Sequence, residues 1–282
     1  MIQTTGIGGL PFKHQNEAFD HIESYYSIPF LPELPSKSQD NLMPPLMPPF
    51  MQRILTPTLF DKIATSNSDF LYWPKERIRS EVAEISLTSL GVEQFLERFF
   101  NHSVIKMQLI GPHCLASLLK LNGKYDSVKC QNFARLWLNE LAQRILQSCQ
   151  PHQKIYFIWD EPIIGFDAAS PDYSIDNFSS VRFGIHCCDR TFSETDFKSN
   201  HAQIYSVDVT EITQSPDIND YCNNKFLGVL DPQSINIAKA TKFLASLNEN
   251  TPLILTPSCG TGNLTIDQEI AVASALKNLQ MT

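Results

Sequence analysis

The chain lacks a surplus of positive charge: 22 Lys and Arg stand against 30 Asp and Glu, for a formal net charge of −8. Phosphate recognition needs a dense Lys/Arg surface, so nucleic acid and anionic membranes are excluded as expected partners. It also lacks any run of about eighteen uninterrupted apolar residues. Its start, MIQTTGIGGLPF, has no basic stretch leading into an apolar one. The expectation is a cytoplasmic protein with no membrane partner. None of the 7 cysteines forms a Cys-x-x-Cys pair, and an odd number in so long a chain speaks against a disulfide framework. Thiol or metal chemistry is the better use for them. The GIGG run lacks the Lys and the full glycine spacing of a phosphate loop, which excludes nucleotide binding by that device. No internal repeat or linker-like boundary is visible, so residues 1–282 are read as one domain.

What is present suits a large buried core: 43% of the 282 residues are apolar. Short apolar, β-rich runs recur at Ile2–Gly8, Val104–Ile110, Lys154–Trp159, Val181–Cys187, Gln203–Val207, Lys225–Leu230 and Pro252–Thr256. Helical periodicity fills several of the intervals, as in Asn132–Ser148 and Ile235–Leu247. An eighth strand at Phe70–Trp73 completes the count for a single (β/α)₈ barrel of the α/β class, with an open doubly wound sheet as the alternative. The stretch Ile28–Pro57 holds too many prolines for regular structure. It is expected to be a long ordered loop packed over or beside the barrel mouth.

In such a barrel, functional groups gather at the carboxyl ends of the strands. There the sequence places Gly8 and Gly9, Gly111, Asp160 and Glu161, His186 and Cys188, Asp208, Asp231, and Cys259. Alternation along Val181–Cys188 puts His186 and Cys188 on one face and Cys187 on the other, with Phe183 and Ile185. A His-x-Cys pair can supply two zinc ligands. Cys259 is the natural third, and Asp208, with Glu211 in reserve, the acidic fourth. The plainer alternatives are a packing histidine among buried cysteines and, for Asp160-Glu161-Pro162, a helix N-terminal cap. Cys114, Cys130, Cys149 and Cys222 read as structural or simply exposed.

The runs TTGIGGLPF, KMQLIGPHCLASLL, FIWDEPIIGF, GIHCCD, GVLDPQS and LTPSCG together resemble the catalytic domain of cobalamin-independent methionine synthase, in order and approximate spacing. That family belongs to a TIM-barrel superfamily shared with uroporphyrinogen decarboxylase and the zinc methyltransferases that act on methylated corrinoid proteins. The resemblance implies a zinc-dependent enzyme that transfers a methyl group to a thiol, with homocysteine as first-choice acceptor. It implies Zn²⁺ held by His186, Cys188, Asp208 and Cys259. Asp160 would bind the substrate amino group, Ile7, Gly8 and Gly9 would offer backbone contacts to it, and Asp231 would have a catalytic role.

Three features depart from the family. Asp208 stands where the synthase has glutamate, and Gln233 stands where it has a histidine of the Asp-x-His motif. The chain also holds only one barrel where the synthase uses two halves to bind folate. The expected donor is therefore not folate, and a methylated corrinoid protein fits the open mouth better. The rival readings are a metal-free decarboxylase-like enzyme and a non-catalytic zinc- or corrinoid-binding protein.

Overall fold

In the computed structural model the described residues are 2–34, 53–123, 125–161, 178–188, 202–210, 225–247 and 253–281. The strands are β1 (Ile2–Thr4), β2 (Val104–Ile110), β3 (Lys154–Asp160), β4 (Val181–Cys187), β5 (Ile204–Asp208), β6 (Lys225–Leu230) and β7 (Leu253–Pro257). All pair in parallel, in the order β1-β7-β6-β5-β4-β3-β2. This leaves β1 and β2 as the two edges.

The edges are brought close to one another by a segment the sequence hid. Ile28 N–H donates to Thr4 O of β1 (2.9 Å), Lys106 N–H of β2 donates to Pro29 O (2.8 Å), and Leu31 N–H donates back to Lys106 O (2.9 Å). Farther along, Glu33 N–H donates to Gly8 O and Leu10 N–H to Glu33 O. One extended segment, Ile28–Glu33, thus bonds to both edges, and a sheet whose edges share one neighbour is curled into a TIM-like half barrel. Pro29 and Pro32 remove ladder donors, which is why the pairing stays irregular.

Two expectations are corrected here. Phe70–Trp73 is not a strand: Ser68–Tyr72 forms a 3₁₀ helix capped by Asn67, because its aromatic run packs edge-on against Tyr125 and Phe133. The segment from Ile28 is also not all loop, since its first six residues serve as a stave. Residues 35–52 of the expected mouth-covering loop lie outside the described residues. Nor does β1 run to Gly8; it ends at Thr4, ahead of the glycine-rich turn.

The helices are α1 (Gln15–Tyr25), α2 (Pro57–Ala64), α3 (Lys75–Ala83), α4 (Val92–Arg98), α5 (Pro112–Gly123), α6 (Ser127–Gln147), α7 (Ile237–Ala245) and α8 (Ile266–Gln280). Their starts follow local chemistry. Thr56 caps α2 ahead of Pro57, Asp126 caps α6, and Thr265 with Gln268 forms a capping box on α8. Among the described residues no helix is long and apolar enough to cross a membrane.

Strand alternation sorts the interior into two cores. Ile155, Phe157, Trp159, Phe183, Ile185, Leu227 and Leu255 join the helices in the larger cluster. The opposite faces contribute Tyr156, Ile158, Ile204 and Phe226, with Ile28, to a smaller cluster inside the curl. Toward the strands' carboxyl ends the same inward positions turn polar: Lys106, Gln108, Asp160, His186, Ser206 and Thr256. An apolar floor beneath a polar mouth is the arrangement that places the site.

Candidate metal centre

His186, on β4, is 1% exposed. Its Nε2 lies 2.9 Å from Cys188 Sγ, and Cys188 Sγ lies 3.1 Å from Cys259 Sγ, which arrives just beyond β7. Cys187, on the alternate face, is 5% exposed. Behind the imidazole, Nδ1 sits 2.9 Å from Ser206 Oγ of the adjacent strand β5. With Cys188 donating to Cys259, Nε2 is the donor toward the sulfurs; a metal there would need the other tautomer, with Nδ1–H donating to Ser206 Oγ and the Nε2 lone pair free to ligate.

The two thiols are opposite in acidity. The hydrogen bond from Cys188, with help from His186 and the Gly260 N–H, pulls the Cys259 thiol far below the usual range. That same bond, together with burial, holds Cys188 protonated. The pair therefore carries one proton and one negative charge at neutral pH. A soft donor set of imidazole nitrogen and two sulfurs suits zinc. Donor atoms ~2.0–2.3 Å from one tetrahedral ion stand ~3.3–3.8 Å apart, so the observed separations are those of hydrogen bonds. Among the described residues no group of three or more His, Cys, Asp or Glu stands at metal-holding spacing. Parting the sulfurs by well under 1 Å would open the trio.

The loop after Cys259 packs against the GIGG turn backbone to backbone. Thr261 N–H donates to Gly9 O at 2.9 Å. A Cβ on Gly260 would stand 3.1 Å from Ile7 O, and one on Gly9 would stand 3.3 Å from Gly262 N. Glycine is needed there because side chains would separate the two loops. Gly8 has a φ of +22° and faces the Glu33 carboxyl and the Gln108 amide. Ile7, Gly8 and Gly9 therefore border the site, with Ile7 itself buried.

Asp160 ends β3 in register with His186. Its Oδ1 is buried without a hydrogen-bond partner. Burial and the nearby Cys259 raise its carboxyl, while the nearness of His186 and Lys106 pulls it back down. Asp208 is held differently: its Oδ1 accepts from Thr210 N–H (2.8 Å) and Thr210 O–H (2.6 Å) in a tight turn. Glu211 lies outside the described residues, as does Cys222. Asp231 accepts from Gln233 N–H at 2.9 Å and lines a cavity of about 110 Å³ with Thr210, Asn236 and Lys239, on the α7 side. The described contacts do not bring it to the thiols.

Lys106, Gln108 and Glu33 of this region escaped the sequence reading, as did the identity of the helix that Glu161 caps. Lys106 is fully buried, and its Nζ donates to Gly6 O at 2.9 Å and to Gln108 Oε1. Burial lowers its amine to about 7 against the pull of Asp160 and Glu33. Glu33 is raised to about 7, by burial first and by Asp160 second. Glu161, also fully buried, accepts from His113 N–H (2.9 Å) and Cys114 N–H (2.8 Å). It caps the start of α5, the helix that follows the neighbouring strand β2. The available signal was Lys106-x-Gln108: two polar residues at i and i+2 within an otherwise apolar strand mark one polar face.

No protein-family model and no curated protein matches this sequence. Among solved structures the chain is similar to a B12-independent methionine synthase from Shewanella sp. W3-18-1, determined in complex with selenomethionine. The TM-score is 0.47 and the identity 15%, over 67% of this chain and 65% of that one, so the likeness spans less than two thirds of that protein's length.

Proposed function

We propose that the chain is a zinc-dependent methyltransferase acting on a small thiol, with homocysteine as first-choice acceptor. The site would stand on one (β/α)₈-type barrel domain in which Ile28–Glu33 serves as the irregular eighth stave. The observation that carries the proposal is the meeting of His186 Nε2, Cys188 Sγ and Cys259 Sγ, from two strands, with Ser206 behind the imidazole. These three side chains would hold Zn²⁺, with Asp208 or Glu211 as the acidic ligand. When bound, zinc supplies the Lewis acidity that keeps a substrate thiol ionised at neutral pH.

The protein's own groups account for the rest. Ser206 fixes the imidazole, and the Cys259–Gly262 loop and GIGG turn form a backbone wall against which a small substrate lies. The unpartnered Asp160 Oδ1 accepts from its ammonium group. The substrate sulfur then attacks a methyl group in line, and the leaving group departs with the donor. No described contact brings Asp231 to the thiols, and in its turn Gln233 takes the place of a titratable partner, so the acid–base step is left unassigned. A methylated corrinoid protein is the proposed donor, and the setting is cytoplasmic.

The test is methyl transfer to homocysteine from methylcobalamin and from methyl-folate, with zinc quantified in the same protein. We expect about one zinc per chain and turnover with methylcobalamin, and Cys259→Ala should lose both. Efficient use of methyl-folate would refute the donor assignment, and full activity in Cys259→Ala would remove the zinc mechanism. The second reading, a non-catalytic zinc- or corrinoid-binding protein, is favoured by Gln233 and would show zinc without turnover.

A further inference from the structure

Inside the curl, three buried polar atoms are left without partners among the described residues, Thr256 Oγ1 among them, and the other two are of opposite kind. One is Asp160 Oδ1, which can only accept while ionised, and the other is Gln108 Nε2, which can only donate. Native interiors leave few such atoms, and each one lacking a partner costs free energy unless something else satisfies it.

The orientation of Gln108 is fixed by its neighbour. Lys106 Nζ is a donor without acceptor capacity, so the amide atom it binds must be Oε1, and the NH₂ group must point the other way. There Nε2 comes to 3.2 Å from where a Gly8 Cβ would stand. It faces the turn that borders Cys259 and lies near enough to Asp160 to pull that carboxyl's pKa down, but outside hydrogen-bond geometry, so both atoms stay open. The Lys106 ammonium polarises the amide through Oε1 and makes Nε2 the stronger donor. Both residues are rigidly held, Lys106 at 0% and Gln108 at 2% exposure.

We propose that Gln108 is a specificity-determining residue of this site, and that its Nε2 reads the carboxylate of an α-amino-acid thiol. The inference rests on the thiol reading above and deepens it. An acceptor and a donor left open side by side match a head group that carries ammonium and carboxylate on one carbon. Asp160 takes the ammonium, Gln108 the carboxylate, and the side chain extends toward the sulfurs. A plain alkyl thiol would leave both buried groups unsatisfied, and sites built to hydrogen-bond a substrate reject analogues that lack the matching group.

The test uses the full-length protein and calorimetric titration with homocysteine, 3-aminopropane-1-thiol (no carboxylate) and 4-mercaptobutanoate (no amine). The wild type should bind homocysteine about 10- to 100-fold more tightly than 3-aminopropane-1-thiol, as expected for one charge-assisted hydrogen bond. Gln108→Leu should bind the two within about threefold of each other, with its affinity for 3-aminopropane-1-thiol unchanged. Gln108→Glu should reverse the preference by repelling the carboxylate. An equal preference in Gln108→Leu and wild type overturns the assignment, as does a wild type that does not discriminate. Failure of the wild type to bind any of the three thiols overturns the thiol reading itself, and this inference with it.

Discussion

Lys106 shows how much a single residue can be made to bear. Its ammonium lies fully inside the curl, facing Glu33 and Asp160 and bonded to Gly6 O and Gln108. Burial lowers its folded value to about 7, against about 10.4 in an unfolded chain. Between those two values the unfolded state binds a proton that the folded state has released. Stability from this residue therefore rises with pH from about 7 to about 10, at ~1.4 kcal/mol per unit, and is flat below that window. Glu33, raised to about 7, works in the opposite direction at lower pH. Lys106→Met should remove the alkaline rise, so wild-type stability minus variant stability in urea increases as pH goes from 7 to 10. A pH-independent difference would refute the buried-amine account. The residue types here were visible in KMQLIG, but their meaning was not: a lysine in an apolar strand reads as an edge or an error until the curl supplies Gly6 O beside it.

At the scale of elements, Glu161 ties two βα units together. Its carboxylate reaches from the end of β3 to the first free N–H groups of α5, where the helix dipole also favours negative charge. Gly111 makes room for it, since a Cβ there would stand 2.1 Å from the carboxyl carbon. Glu161→Ala strands two buried donors and should cost about 2–4 kcal/mol in urea unfolding. Gly111→Ala should be destabilising as well, by displacing the same carboxylate. The sequence supported a cap at this place, but for the helix following its own strand; which helix is capped depends on strand order in the sheet. Strand periodicity fared well where runs were long and apolar, as in Val104–Ile110, Val181–Cys187 and Lys225–Leu230. It failed at Ile28–Glu33, whose two prolines suppress the pattern, and at Phe70–Trp73, whose aromatic residues imitate it.

For the whole molecule, the consequential feature is that Cys188 and Cys259, 71 positions apart in sequence, meet in the fold. A metal held by both strands would bind the folded chain and not the unfolded one, so it would stabilise by linkage. At a thousandfold excess over Kd the gain is about 4 kcal/mol. Thermal unfolding with and without zinc should therefore show a rise in Tm for the wild type that a chelator reverses. Cys259→Ala should show none. An equal zinc response in both would place any metal elsewhere.

Composition and periodicity determined the α/β class, most strand positions, and the face on which His186 and Cys188 lie, because alternation is a property of the local backbone. They also placed Cys259 at a strand end. Only the tertiary structure decided that the proline-bearing stave lies between β1 and β2, that Lys106 turns Gln108 toward the mouth, that Thr210 holds Asp208 in a turn, and that Asp231 faces the α7 side. Each of these depends on a neighbour far away in sequence. A hydrogen bond between distant residues has no local pattern to announce it; it exists only once the chain has closed on itself.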